Sequence, residues 1–212
     1  MSELLLPPAR LPRWLDNFAT RHGATGLAVV DGALTATAAD GSRAVVRLPW
    51  GREYDGAPET AAFADRASPP EDWGVLLVRK GGYAVARLHG GDWQASKTGQ
   101  RHVQGRTKAG GQSQQRFARR RENQARVAYQ AAAGHAERLL LNPPCPVLVV
   151  GGDRQAVEAV LETAPLAALR DAVTDPWLAV PDPRRQVLER AVEDAQALPI
   201  TVHNALPPSE RK

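Results

Sequence analysis

Cysteine is almost missing from this chain: Cys145 is the only one among 212 residues. One thiol excludes a disulfide within the chain and any zinc site made from several cysteines, and a lone Cys is most simply a core residue. His89, His102, His135 and His203 are scattered without metal-ligand spacing, so no metal and no cofactor is expected. Long apolar runs are missing too. No stretch approaches the roughly 18 apolar residues of a spanning helix. Met1–Leu6 carries Glu3 and is followed by Pro7-Pro8, which is not the pattern of a signal peptide. The expectation is a cytoplasmic protein with no membrane partner. There are no internal repeats and no low-complexity tracts. Acidic side chains are scarce in one place above all. From Arg101 to Arg126 the bases are Arg101, Arg106, Lys108, Arg116, Arg119, Arg120, Arg121 and Arg126, and Glu122 is the only acid. The rest of the chain is near neutral or acidic, so this segment carries the net charge of +4. A concentrated basic stripe points to a nucleic-acid backbone as partner.

What is present is 43% hydrophobic residues, enough for a globular core. Residues 9–22 place Leu11, Trp14, Leu15 and Phe18 on one side of a short helix. Three short apolar runs follow, Gly26–Val30, Ala33–Ala38 and Arg43–Leu48. Asp31-Gly32 and Asp40-Gly41 separate them, pairs that favour tight hairpin turns. Residues 51–72, with Pro58, Pro69 and Pro70, read as a linker with one helical turn. A second meander is expected over Gly74–Lys80, Tyr83–His89 and Asp92–Lys97, then an exposed glycine-containing loop over 98–112. The spacing predicts a long helix from about Ser113 to Leu140. Phe117, Arg121, Ala125, Ala128, Ala132 and Leu139 mark its stripe, and Arg116, Arg119, Asn123, Arg126 and Gln130 mark a neighbouring polar face. Val147–Val150 reads as a buried strand that turns at Gly151-Gly152 into a helix capped by Asp153. A helical turn over 166–173, a helix over Pro183–Gln196 and a last strand or tail at Ile200–His203 complete the pattern. The fold class is α/β (α+β), with a mixed sheet, a meander and a long basic helix. The expected domains are 1–70, 71–205 and a flexible tail over 206–212. The five tryptophans are expected at core or rim positions.

Gly110-Gly111-Gln112 stands at the tip of the polar loop, beside the basic helix. Two adjacent glycines let a backbone bend sharply and approach a substrate closely. A flexible turn before a helix is the plain alternative. With Gln112-Ser113 and Arg116-Phe117-Ala118-Arg119 behind it, the motif resembles the catalytic domain of the archaeal and eukaryotic class I translation release factors. The resemblance runs from about Trp73 to Val202 and is specific at the loop and helix start. A chain of this length has no room for a stop-codon-reading domain, so it is more similar to the VLRF type of release factor found in actinobacteria. That type is related to the eukaryotic ankyrin-repeat, zinc-finger peptidyl-tRNA hydrolase of ribosome quality control. No ankyrin repeats and no zinc finger are present, and partners that need them are not implied.

The resemblance implies a release-factor-like, RNase H-like sandwich and a hydrolase that frees nascent chains from stalled ribosomes or large subunits without a stop codon. It implies Gly110, Gly111 and Gln112 as catalytic residues in the peptidyl transferase centre, with peptidyl-tRNA as substrate. The Gln112 N–H would face the reaction centre and its side chain would orient or admit water. A fixed backbone N–H can stabilise the oxyanion of ester hydrolysis without an ionisable residue. Arg106, Lys108, Arg116, Arg119, Arg120 and Arg126 would contact phosphates of ribosomal RNA or tRNA, which positions the loop without reading sequence. Two alternatives remain open. One is a tRNA 3′-end nuclease of the same fold, and the other is a non-catalytic ribosome- or RNA-binding module. Gly151-Gly152-Asp153 after a strand resembles a phosphate-binding turn, but it lacks the further glycine or lysine, and a capped structural turn is the better reading.

Overall fold

The computed structural model describes residues 1–100 and 112–205, with side chains of the long helix described from Arg126 onward. The expected loop tip and tail, at 101–111 and 206–212, lie outside the described residues. The chain forms two units, Met1–Pro69 with Glu193–Lys212, and Pro70–Val192.

The first unit holds β1 (Ser2–Leu6), a 3-10 turn at Pro8–Arg10, α1 (Leu11–His22), β2 (Thr25–Val30), β3 (Ala33–Ala38), β4 (Arg43–Val46), α2 (Thr60–Arg66) and β10 (Leu198–His203). Its sheet runs β1-β10-β4-β3-β2 and every neighbouring pair is antiparallel. Asp31 (φ 48°) and Gly32 (φ 68°) form the β2–β3 turn, the left-handed pair that matches strand twist. Leu11, Leu15 and Phe18 lie on one side of α1 and pack with Leu34, Ala36, Val46 and Ile200. Two expectations fail here. Residues 51–72 are not a linker: Tyr54 and Phe63 are core residues in edge-to-face contact at 4.8 Å, and α2 carries Phe63 inward. The last strand does not belong with 71–205. Pairing of Leu198–His203 with both β1 and β4 buries Leu198, Ile200 and Val202 in the first unit's core, and the Ala205 N–H donates to the buried Ser42 hydroxyl at 3.0 Å. Burial on one face fixes such a register strongly.

The second unit holds β5 (Asp72–Arg79), β6 (Gly82–His89), β7 (Asp92–Gln100), α3 (Gln112–Leu140), β8 (Leu148–Gly152), α4 (Arg154–Leu161), a 3-10 segment at Leu166–Ala172 and β9 (Val173–Leu178). α5 (Arg185–Ala195) leads out of it toward β10. The strand order is β7-β6-β5-β8-β9, with an antiparallel β5–β6–β7 meander and β8 and β9 added parallel. The sheet is mixed, as the alternation of strands and helices implies. β5 is its central strand and is buried from Trp73 to Val78, which is why it reads as a continuous apolar run. β7 extends to Gln100, so residues 98–100 are strand rather than loop, and Gln112 is helix rather than loop.

α3 lies on the sheet through its second half. Ala132, Ala133, Ala136 and Leu140 join Leu76, Val78, Tyr83 and Val85 in one core, and α4 adds Ala156, Val157 and Val160. Alanines bring the helix backbone close to the strands, and Gly74 on β5 leaves room for Leu140, whose Cδ2 would sit 2.7 Å from a Cβ there. Arg87 holds the helix end. Its Nε donates to Asp72 Oδ1 at 2.9 Å and its Nη2 to Asp72 Oδ2 at 2.6 Å, while Nη1 donates to the carbonyls of Leu139 (3.1 Å) and Pro143 (2.7 Å). A two-pronged, largely sheltered arginine pair is among the stronger polar contacts a fold can make.

Candidate functional site

α3 has 29 residues and spans about 44 Å at 1.5 Å per residue. Its anchored end is at Leu140, and its other end opens on Gln112. Gln112 lies about 24 Å along the axis from Ala128, the first described buried side chain of the helix. The first four N–H groups of a helix have no acceptor within it and carry the positive end of its dipole. Gln112 therefore presents an N–H that the helix itself does not use.

The other expected site residues are placed as follows. Gly110, Gly111, Arg106 and Lys108 lie outside the described residues. Arg116, Arg119 and Arg120 are on the backbone of α3, upstream of its described side chains, and Arg126 is exposed. At 100° per residue, positions 116, 119, 123, 126 and 130 share one side of the helix, and the buried 128, 132, 136 and 140 share the other. Arg126 and Gln130 are exposed on that polar side, and Ala128 and Ala132 are buried on the opposite one.

The remaining reactive side chains serve the fold. Cys145 is buried, its Sγ donates to the Val147 carbonyl at 3.2 Å, and burial pushes its thiol up to about 11. A thiol held that far from ionisation is a poor nucleophile. The Gly151-Gly152 turn is set by strand contacts: a Cβ on Gly151 would run into the Leu178 carbonyl oxygen, and one on Gly152 (φ +99°) into that of Val78. The Asp153 side chain accepts from the Gln155 N–H at 3.1 Å and caps α4. Trp73 is fully buried with its indole N–H on the Gly90 carbonyl at 2.8 Å, whereas Trp93 and Trp177 lie under Arg185 and Arg154. Trp177 and Arg154 line an open cleft of about 570 Å³ between α4 and β9, with Glu158, Arg170 and Asp175 at its walls. Sequence reasoning missed this cleft because β9 contains Pro176 and does not read as a strand. Among the described residues no helix is long and apolar enough to cross a membrane.

The peptide chain release factor subunit 1 of Pyrobaculum aerophilum is 31% identical over 109 residues, which cover 51% of this chain and 28% of that protein. Among solved structures, an archaeal translation termination factor, aRF1, aligns with a TM-score of 0.46 and 16% identity over 92% of this chain and 64% of that one. Pelota of Archaeoglobus fulgidus aligns with a TM-score of 0.31 and 13% identity, over 92% of this chain and 63% of that one. The chain thus spans under a third of the curated relative and under two thirds of these structures. The family model described as the Actinobacteria/chloroflexi VLRF1 release factor matches residues 71–201, more than half of the chain and nearly all of the second unit. The chain therefore belongs to the Actinobacteria/chloroflexi VLRF1 release factor family, and its role is related to translation release.

Proposed function

We propose that this protein is a ribosome-associated peptidyl-tRNA hydrolase that releases nascent chains from stalled ribosomes or large subunits without a stop codon. The observation that carries the reading is the position of Gln112. It follows Gly110-Gly111 and opens α3, in a chain of a release-factor family. Hydrolysis of the ester between peptide and tRNA passes through a tetrahedral state with negative charge on oxygen. The Gln112 N–H, unused by the helix and at its positive end, is a donor suited to that charge, and its side chain orients the attacking water. Gly110 and Gly111 permit the backbone to enter the peptidyl transferase centre. Arg106, Lys108, Arg116, Arg119, Arg120 and Arg126 hold phosphates of ribosomal RNA and tRNA and fix where the loop sits. No titratable base of the protein takes part in this scheme, so the substrate and ribosome complete the site.

The test uses purified stalled complexes with no stop codon in the decoding site. Peptidyl-tRNA is followed over time, and the 3′ end of the released tRNA is sequenced. The expected result is free peptide and a tRNA with an intact CCA end. A shortened tRNA would make the protein a nuclease instead, and binding without any product would make it a binding module.

A further inference from the structure

The second half of α3 carries polar chemistry that the catalytic reading does not use. His135 is half-buried on α3, and its ring stacks on Tyr83 of β6 at 5.5 Å between centroids. Arg138 donates from Nη2 to His135 Nδ1 at 2.7 Å. A guanidinium has no lone pair to offer, so the ring accepts at Nδ1 and carries its proton on Nε2. Lys97 approaches from β7. In the register of β6 and β7, Lys97 pairs with Val85 and Gly99 with Tyr83, and alternate residues of a strand share a face. A Cβ on Gly99 would sit within 2.7 Å of the Tyr83 hydroxyl, so the Tyr83 ring lies over Gly99. Lys97 thus emerges on the side of β7 that faces α3.

Three groups face His135 from the elements packed around it: Arg138 from α3, Lys97 from β7 and the Tyr83 phenol from β6. Burial first, then Arg138 and Lys97, hold the imidazole below its ordinary range. Glu137 is the nearest acid in sequence, and it lies about 160° around the helix from His135. Among the described residues, no carboxylate forms an ion pair with Lys97 or Arg138. An ammonium, a guanidinium and an imidazole N–H therefore share one patch without an anion. The patch also has a direction. Arg138 follows Arg120 by 18 residues, five full turns, so both occupy the same side of α3 about 27 Å apart. An extended polyanion, rather than a single small ion, fits that spacing.

We propose that Lys97, His135 and Arg138 form a phosphodiester-binding site, a second contact with RNA in line with Arg120 and away from the Gln112 end of α3. This rests on the reading of the protein as a ribosome-bound factor and names a contact that reading lacks. A phosphate oxygen accepts from Lys97 and from Arg138, whose Nη2 leaves His135 Nδ1 for the phosphate; the phosphate charge favours the protonated ring, so binding takes up a proton at the freed Nδ1. The sign follows: the free ring titrates low and the bound ring higher. Between those two midpoints, affinity rises as pH falls, by up to about tenfold per pH unit.

The experiment titrates the His135 ring by NMR in the full chain, alone, with a short single-stranded RNA, and with inorganic phosphate at equal phosphate concentration. RNA should raise the midpoint and inorganic phosphate should not. A folded double variant, Lys97→Ala with Arg138→Ala, should lower the salt slope of RNA binding by about 0.7, the value for one single-strand phosphate. His135→Gln keeps an uncharged acceptor for Arg138. It should bind as the wild type does at alkaline pH and lose the gain on acidification, which a merely structural histidine would not do. An unmoved midpoint with saturating RNA, an equal shift with inorganic phosphate, or an unchanged salt slope in the double variant would each overturn the site. If the wild type releases no peptide while RNA still moves the His135 midpoint, the hydrolase reading falls and this one stands.

Discussion

Two glycine pairs in this chain open helices, and they have different reasons to exist. Gly151-Gly152-Asp153 leaves β8 and enters α4; Gly110-Gly111-Gln112 precedes α3. At the first pair, carbonyl oxygens of neighbouring strands occupy the places where side chains would go, from Leu178 at Gly151 and Val78 at Gly152. Gly152 also has φ +99°, and the Asp153 N–H donates to the Val78 carbonyl at 2.9 Å. That turn is glycine because the sheet is packed there. Ala128, Ala132, Ala136 and Leu140 anchor the far half of the helix after the second pair. Its polar side is basic and the family is one of release factors. A shared Gly-Gly pair therefore has a folding cause in one place, and in the other the cause we propose is catalytic.

Substitution should separate the two. The largest effect is expected at Gly111→Ala, with peptide release slowed about a hundred- to a thousandfold, the usual loss when one preorganised donor is misplaced, and with an unchanged melting temperature. Next is Gly152→Ala, which should lower stability by about 2–3 kcal/mol through strain at positive φ and collision with the strand. Release per folded molecule should stay at the wild-type level, as read by denaturant unfolding beside the release assay. The smallest is Asp153→Ala, about 1 kcal/mol for loss of the cap on α4, with Asp153→Asn recovering most of it. A Gly152→Ala protein of normal stability that releases slowly would exchange the roles assigned to the two pairs.

The local pattern was readable from apolar runs bounded by turn residues and from helical periodicity. The buried β5 and β6 follow from the former, and the long α3, the Asp153 cap and the amphipathic α5 from periodicity and capping residues. The Asp31-Gly32 hairpin follows from the need for two left-handed residues. Partnership was not readable. Ile200–His203 reads as a last strand or tail, but nothing in Ile-Thr-Val-His says that it sits between β1 and β4 in the first unit's sheet. β1 and β9 are edge strands, short or interrupted by proline, and have little pattern to detect. Phe63 lies among small and charged residues, so its burial comes from tertiary contact rather than from periodicity. For the site, Gly110-Gly111-Gln112 and the basic spacing were visible in one stretch of sequence. Lys97, His135 and Arg138 were not, because the pairing of β7 with β6 brings Lys97 to the helix.

The most direct test is a single-turnover assay on purified stalled complexes, with pelleting to score ribosome binding, for the wild type, Gln112→Ala and Gly111→Ala. The account predicts wild-type binding by both variants and loss of release by both. Gly111→Ala should be at least as damaging, because Gln112→Ala keeps the backbone N–H. Near wild-type release by both variants would contradict the account and leave the basic helix as part of a binding protein.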